Sequence, residues 1–82
     1  MNRLVFIVKE SCDVCNSQRP EAQSLAAAHQ LRYIEYDTTD EGSYNYDIIG
    51  VPYYILEDQA LTILEQGCGE RGLNKVKTKL EE

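Results

Sequence analysis

The run Leu4-Val5-Phe6-Ile7-Val8 constrains the fold of this chain more than any other feature. It is apolar without interruption, rich in β-branched residues, and bounded by Lys9 and Glu10. Such a short run reads as a strand buried on both faces, not as one face of a surface hairpin. Directly after it, Ser11-Cys12-Asp13-Val14-Cys15 sets two cysteines three positions apart. The stretch that follows has no glycine and is rich in Ala, Gln, Glu and Leu, so it reads as helix. The pair therefore lies where a buried strand hands over to a helix. Backbone N–H groups at a helix N-terminus are unpaired, and the helix dipole adds roughly half a positive charge there. A thiolate at such a place is stabilised, and its pKa falls from about 8.5 into a range of roughly 3.5–7.5. A second thiol stands beside it to resolve a mixed disulfide.

Composition narrows the setting. Eighty-two residues make one domain, with room for one sheet and a few helices. The net charge of -6 argues against nucleic acid or an anionic membrane as the main partner, since both need basic clusters. No segment approaches the roughly 18 apolar residues of a membrane span. Arg3 is followed by only five apolar residues, too few for a secretory signal. The expected location is the cytosol, where a close cysteine pair is more often catalytic or metal-binding than structural.

The elements follow in order. Residues 3–8 form the first strand. A first helix is expected over 13–29, with Val14, Gln18, Ala22, Leu25, Ala26 and His29 near its inner stripe and Pro20 kinking it. Residues 31–36 form a second strand, parallel to the first through a right-handed crossover. Thr38 and Glu41 stand at capping-box spacing, so a short helix is expected over 40–48, ended by Gly50. Pro52 opens a third strand, and 61–65 form a fourth, joined to it as an antiparallel hairpin. Gln66-Gly67-Cys68-Gly69-Glu70 is expected to be a glycine-flanked loop. A last helix follows, with Leu73, Val76 and Leu80 inward and Lys75, Lys77 and Lys79 toward its C-terminal half.

This α/β order, βαβ-α-ββα, with Cys12-x-x-Cys15 after strand one and Val51-Pro52 before strand three, resembles the thioredoxin superfamily at glutaredoxin size. The resemblance spans nearly the whole chain. It implies a single domain, residues 1–82, with a four-stranded mixed sheet flanked by three helices. Arg19 and the Gly67-Cys68-Gly69-Glu70 turn resemble glutaredoxins, in which this turn and the residues beside the proline hold glutathione. Tyr46-Asp47-Ile48-Ile49-Gly50-Val51-Pro52 and Pro20 are similar to thioredoxins. Asp13-Val14 between the cysteines matches neither group, and Ser11 stands where thioredoxins have Trp.

What the resemblance implies is a thiol–disulfide oxidoreductase without a bound cofactor. Cys12 is the attacking thiolate and Cys15 resolves, closing a Cys12–Cys15 redox disulfide. Val51, Pro52, Gly67, Cys68 and Glu70 are the expected substrate-binding residues, with Pro52 cis. The expected partners are disulfide-containing proteins, with glutathione or a thioredoxin-type reductase as electron donor, and the expected state is a monomer. Asp13 opposes a second anion beside Cys12, although an acid also suits a helix N-terminus. Other readings stay open: half a zinc site completed by Cys68 and His29, an iron–sulfur carrier, or a non-enzymatic module with inert cysteines. No metal is expected at the site.

Overall fold

The structure, a computed structural model, describes all residues 1–82. Strand β1, Arg3–Val8, is buried from Leu4 to Val8. It can be so only at the centre of a sheet with cover on both faces. It pairs in parallel with β2, Arg32–Asp37, and antiparallel with β3, Tyr53–Glu57. β3 pairs antiparallel with β4, Ile63–Cys68, so the strand order is β2-β1-β3-β4. β3, the other central strand, is also buried at every residue.

Successive side chains of the central strands point to opposite faces. Leu4, Phe6, Val8, Tyr54 and Leu56 meet Cys15, Ala22 and Ala26 of helix α1, Asp13–Ala28, and Leu73 and Val76 of helix α2, Gly69–Glu81. Both helices thus cover one face. Val5, Ile7, Tyr53 and Ile55 face the other way, beneath Ile34, Tyr36, Tyr46 and Ile48. No helix is long and apolar enough to cross a membrane.

Two α-helices flank the sheet, not three. Where a short helix is expected over 40–48, Glu41–Asn45 make a 3₁₀ turn. The expected capping box does not form: the Thr38 N–H, which the Glu41 carboxylate would have to accept, donates instead to the Val8 carbonyl at 2.9 Å and extends the pairing of β1 with β2. The buried Ser43 hydroxyl donates to the carbonyls of Asp40 (2.7 Å) and Thr38 (3.2 Å), which competes with helical bonding. Gly42 lies so close to the Tyr36 ring that a Cβ would overlap it, and glycine costs about 1 kcal/mol in a helix.

Three smaller differences have equally local causes. Val14 is 52% exposed and His29 is exposed at the C-cap of α1, because Cys15, not Val14, sets the inward phase of the helix. β4 starts two residues later than expected and runs on through Gln66-Gly67-Cys68, so that segment is strand and not loop. The delay comes from the hairpin, where one Asp58 carboxylate oxygen accepts the N–H groups of Ala60 and Thr62, each at 2.9 Å. This Asx-type turn takes the place of an Asn-Gly pair.

α2 packs on β4 through a glycine pair. A Cβ at Gly67 would lie 2.7 Å from Gly72 Cα, and one at Gly72 would overlap the Gly67 carbonyl group. Gly72→Ala should therefore cost roughly 2–3 kcal/mol through overpacking, read as a lowered urea midpoint at unchanged slope. A change under 0.5 kcal/mol would contradict the close approach.

Four phenols are buried enough to resist ionisation. Burial is the largest influence raising the pKa of Tyr33, Tyr46, Tyr53 and Tyr54, and Glu35 and Glu57 add to it at Tyr33 and Tyr46. A raised folded pKa favours the neutral phenol in the folded state. Its contribution to stability is whole below the unfolded value of about 10 and is lost as pH rises toward the folded value. Alkaline titration should show phenolate absorbance from these four appearing together with loss of the far-ultraviolet circular dichroism signal. Their ionisation in a still-folded chain near pH 10 would refute the reading.

Candidate active site at the start of the first helix

The chain leaves β1 in a tight turn, in which the Cys12 N–H donates to the Lys9 carbonyl at 3.0 Å. That turn delivers Cys12 to the N-cap of α1 with extended backbone angles. The Cys15 N–H then donates to Cys12 Sγ at 3.1 Å, so the sulfur takes the place that a Ser or Asp oxygen fills at other helix starts. Cys15, a turn further on, points inward and is fully buried, whereas Cys12 is half-buried. The two sulfurs form a disulfide, with Cα atoms 5.2 Å apart. Cys15 rests in the helix-side core with Phe6, Val8 and Tyr54, and one turn later Gln18 accepts a hydrogen bond from the Tyr54 hydroxyl. Asp13 and Lys9 are both exposed, and neither takes part in an ion pair.

The second wall comes from the chain before β3. Register fixes it: Ile7 pairs with Tyr53, which sets Pro52 across from Val8 at the end of the sheet where Cys12 follows. The Val51–Pro52 peptide bond is cis. Pro52 is buried, and its carbonyl accepts the Gly69 N–H at 2.7 Å, which ties this segment to the start of α2. Val51 packs against the cores on both faces of the sheet. It lies outside the strands and enters none of the turn and loop hydrogen bonds, so its N–H and C=O are free for a ligand.

Cys68 is the N-cap of α2, a free thiol, half-buried. Its Sγ lies 3.1 Å from where a Gly50 Cβ would be. The structure therefore brings Val51, Pro52, Gly67 and Cys68 to one corner. Glu70 does not line the cavity that Gly67 and Cys68 line; it is exposed and lines a groove along α2 with Arg71, Asn74 and Lys75. Cys68 belongs to the core on the opposite face of the sheet from the one Cys12 packs against, with Val51 touching both. His29 caps the far end of α1, seventeen residues on, about 26 Å from Cys12 by helix rise, which separates two of the four ligands the zinc reading needs.

Sequence reasoning passed over three residues at this corner. Ile49 is 87% exposed, two positions before Val51. Arg71 and Lys75 line a cavity with it and Cys68. The signal for Ile49 was an apolar residue in a loop that leads into Val51-Pro52. The signal for Arg71 and Lys75 was an i, i+4 pair of cations on a helix of an acidic chain.

A parallel β1–β2 crossover, an antiparallel β3–β4 hairpin, a cysteine pair capping α1 and a cis-proline facing it together constitute the thioredoxin fold. Solved structures bear this out, and several thioredoxins superpose on the chain. Thioredoxin 1 of Thermosipho africanus aligns with a TM-score of 0.83 and 18% identity, over 96% of this chain and 90% of that one. Mitochondrial thioredoxin 3 of Saccharomyces cerevisiae aligns at 0.79 and 13% identity, over 99% and 78%. The Trichomonas vaginalis thioredoxin aligns at 0.74 and 19% identity, over 98% and 77%. No protein-family model matches the sequence, and no curated protein does. The likeness is thus one of backbone path, not of overall sequence.

The close contact of Gly50 with Cys68 is testable by a double-mutant cycle. Gly50→Ala should destabilise the chain by about 1 kcal/mol in the wild-type background and by less than half that in Cys68→Ala. Equal costs in the two backgrounds would show that the segments are not in contact.

Proposed function

We propose that the protein is a dithiol thiol–disulfide oxidoreductase that works through Cys12 and Cys15. The observation that carries this reading is the Cys15 N–H donating to Cys12 Sγ at the N-cap of α1. A donor aimed at that sulfur, with the helix dipole behind it, stabilises a thiolate over a thiol. Cys12 is also the more accessible of the two sulfurs, which suits it to attack, while the buried Cys15 suits internal resolution.

The reaction balances in two exchanges. In the first, the Cys12 thiolate attacks one sulfur of a substrate disulfide, and the other substrate sulfur leaves as a thiolate. In the second, the Cys15 thiol loses its proton to solvent and attacks Cys12 Sγ, releasing the second substrate thiolate. Two electrons pass to the substrate, and the Cys12–Cys15 disulfide forms. An external dithiol, or two glutathione molecules, reverses the second state to the first. The free N–H and C=O of Val51 support extended substrate backbone laid alongside, as in strand addition. Protein disulfides are the substrates that this edge favours, and glutathione or a thioredoxin-type reductase the electron donor. The absence of any long apolar helix and the net charge of -6 are compatible with a monomer at work in the cytosol.

Two variants test the scheme. Cys12→Ser should abolish reduction of a protein disulfide. Cys15→Ser should accumulate a mixed disulfide through Cys12, visible by non-reducing electrophoresis and intact mass. Full turnover of protein disulfides by Cys15→Ser would sink the dithiol mechanism.

A further inference from the structure

Beside the cis-proline corner lies an open cavity of about 490 Å³. Ile49, Tyr53, Gln66, Cys68, Arg71 and Lys75 are among its lining residues, and no acidic side chain lines it. This is unexpected in a chain with 14 acidic and 8 basic residues. Four of those basic residues form ion pairs: Arg3 with Glu57, Arg19 with Glu35, Lys77 with Glu21, and Lys79 with Glu82. Arg71 and Lys75 form none. They stand at i and i+4 on α2, where like charges repel. The Lys75 stem passes over Gly67, with Cδ 3.3 Å from where a Gly67 Cβ would be, which places the side chain at the cavity. The same two cations also line a groove along α2 with Glu65, Glu70 and Glu82, and bridge to none of them.

We propose that this cavity is a carboxylate subsite, through which Arg71 and Lys75 select disulfide substrates whose peptide chain carries acidic residues next to the cystine. The inference rests on the oxidoreductase reading and names the substrate class for that site. The geometry favours a peptide. Val51 offers free backbone groups for an extended chain, and Ile49, 87% exposed at the cavity rim, supplies an apolar contact beside it. An acidic side chain on the Cys68 side of such a chain would meet two unpaired cations. A neutral one would leave them repelling each other. The wider surface is acidic and repels an acidic substrate at long range, but that field is screened beyond about 8 Å at physiological salt, whereas contact in the cavity is not. The subsite therefore acts on substrate already docked at Val51, and Arg71 and Lys75 are specificity residues with no part in the sulfur chemistry.

The test compares two disulfide-linked peptides that differ only in having Glu or Gln at the positions flanking the cystine. With the Arg71→Gln/Lys75→Gln variant, kcat/KM for the Glu peptide should fall about fivefold through KM, while the Gln peptide changes less than twofold. The wild-type preference for the Glu peptide should weaken but persist in 0.5 M salt, as contact pairs are screened less than distant charges. Equal losses on both peptides, or no loss on either, would overturn the subsite and leave the oxidoreductase reading intact. A wild-type protein that reduces neither peptide points instead to failure of the oxidoreductase reading. In that event, fluorescence binding of disulfide-free Glu and Gln peptides decides the cavity by itself: wild-type preference for Glu, lost in the variant, upholds it, and equal binding refutes it.

Discussion

Burying β1 on both faces is the constraint from which the rest of the structure follows. A strand with no polar face must lie inside a sheet, so it needs a partner on each side and a layer above and below. β2 and β3 supply the partners, and α1 with α2 covers one face. The crossover that returns the chain for β2 must leave from the C-terminal end of β1. Helix α1 therefore starts where Val8 ends, and its first turn is open to solvent at the edge of the core. The antiparallel entry of β3 brings its own N-terminal end to the same place. Two unrelated necessities of packing thus set Cys12 and Pro52 side by side.

The cysteines divide the demands of that place between them. Cys15 is held by packing, fully buried among Phe6, Val8 and Tyr54. Cys12 is held by a hydrogen bond, as the cap of a helix. One sulfur is thereby fixed in the core while the other remains at the surface. The cap also explains why a short polar side chain is not needed here: the sulfur takes the N–H that Ser or Asp would otherwise take. On the opposite side of the corner, the Pro52 carbonyl to Gly69 N–H bond and the Gly67–Gly72 contact pull α2 tight against β3 and β4. α2 consequently presents Arg71 and Lys75 to the same corner as Ile49.

The other end of the sheet is held differently. Glu57 is 1% exposed, and its carboxylate is satisfied by the Arg3 guanidinium and by the Tyr46 hydroxyl, 3.1 Å from both carboxylate oxygens. An unpaired carboxylate there would cost several kcal/mol, so this cluster pins the β1–β3 register in which Arg3 faces Glu57. The cysteine pair and the buried ion pair thus occupy opposite ends of β1.

Local sequence determined the strands, both long helices and the cysteine pair, because hydrophobic runs, glycine-free stretches and helix starts are written in neighbouring residues. It determined the juxtaposition of Cys12 with Val51-Pro52 only by way of resemblance, since forty residues separate them. Tertiary structure decided what depends on distant contacts. The Tyr36 ring and the Thr38 bond to Val8 turned an expected third helix into a 3₁₀ turn. Strand pairing with Tyr53 and Tyr54 drew Gly67 and Cys68 out of an expected loop and into β4. The packing of α2 gathered Arg71 and Lys75 beside Ile49 and Cys68. A residue's propensity reads only its neighbours along the chain, and these outcomes were settled by neighbours across the sheet.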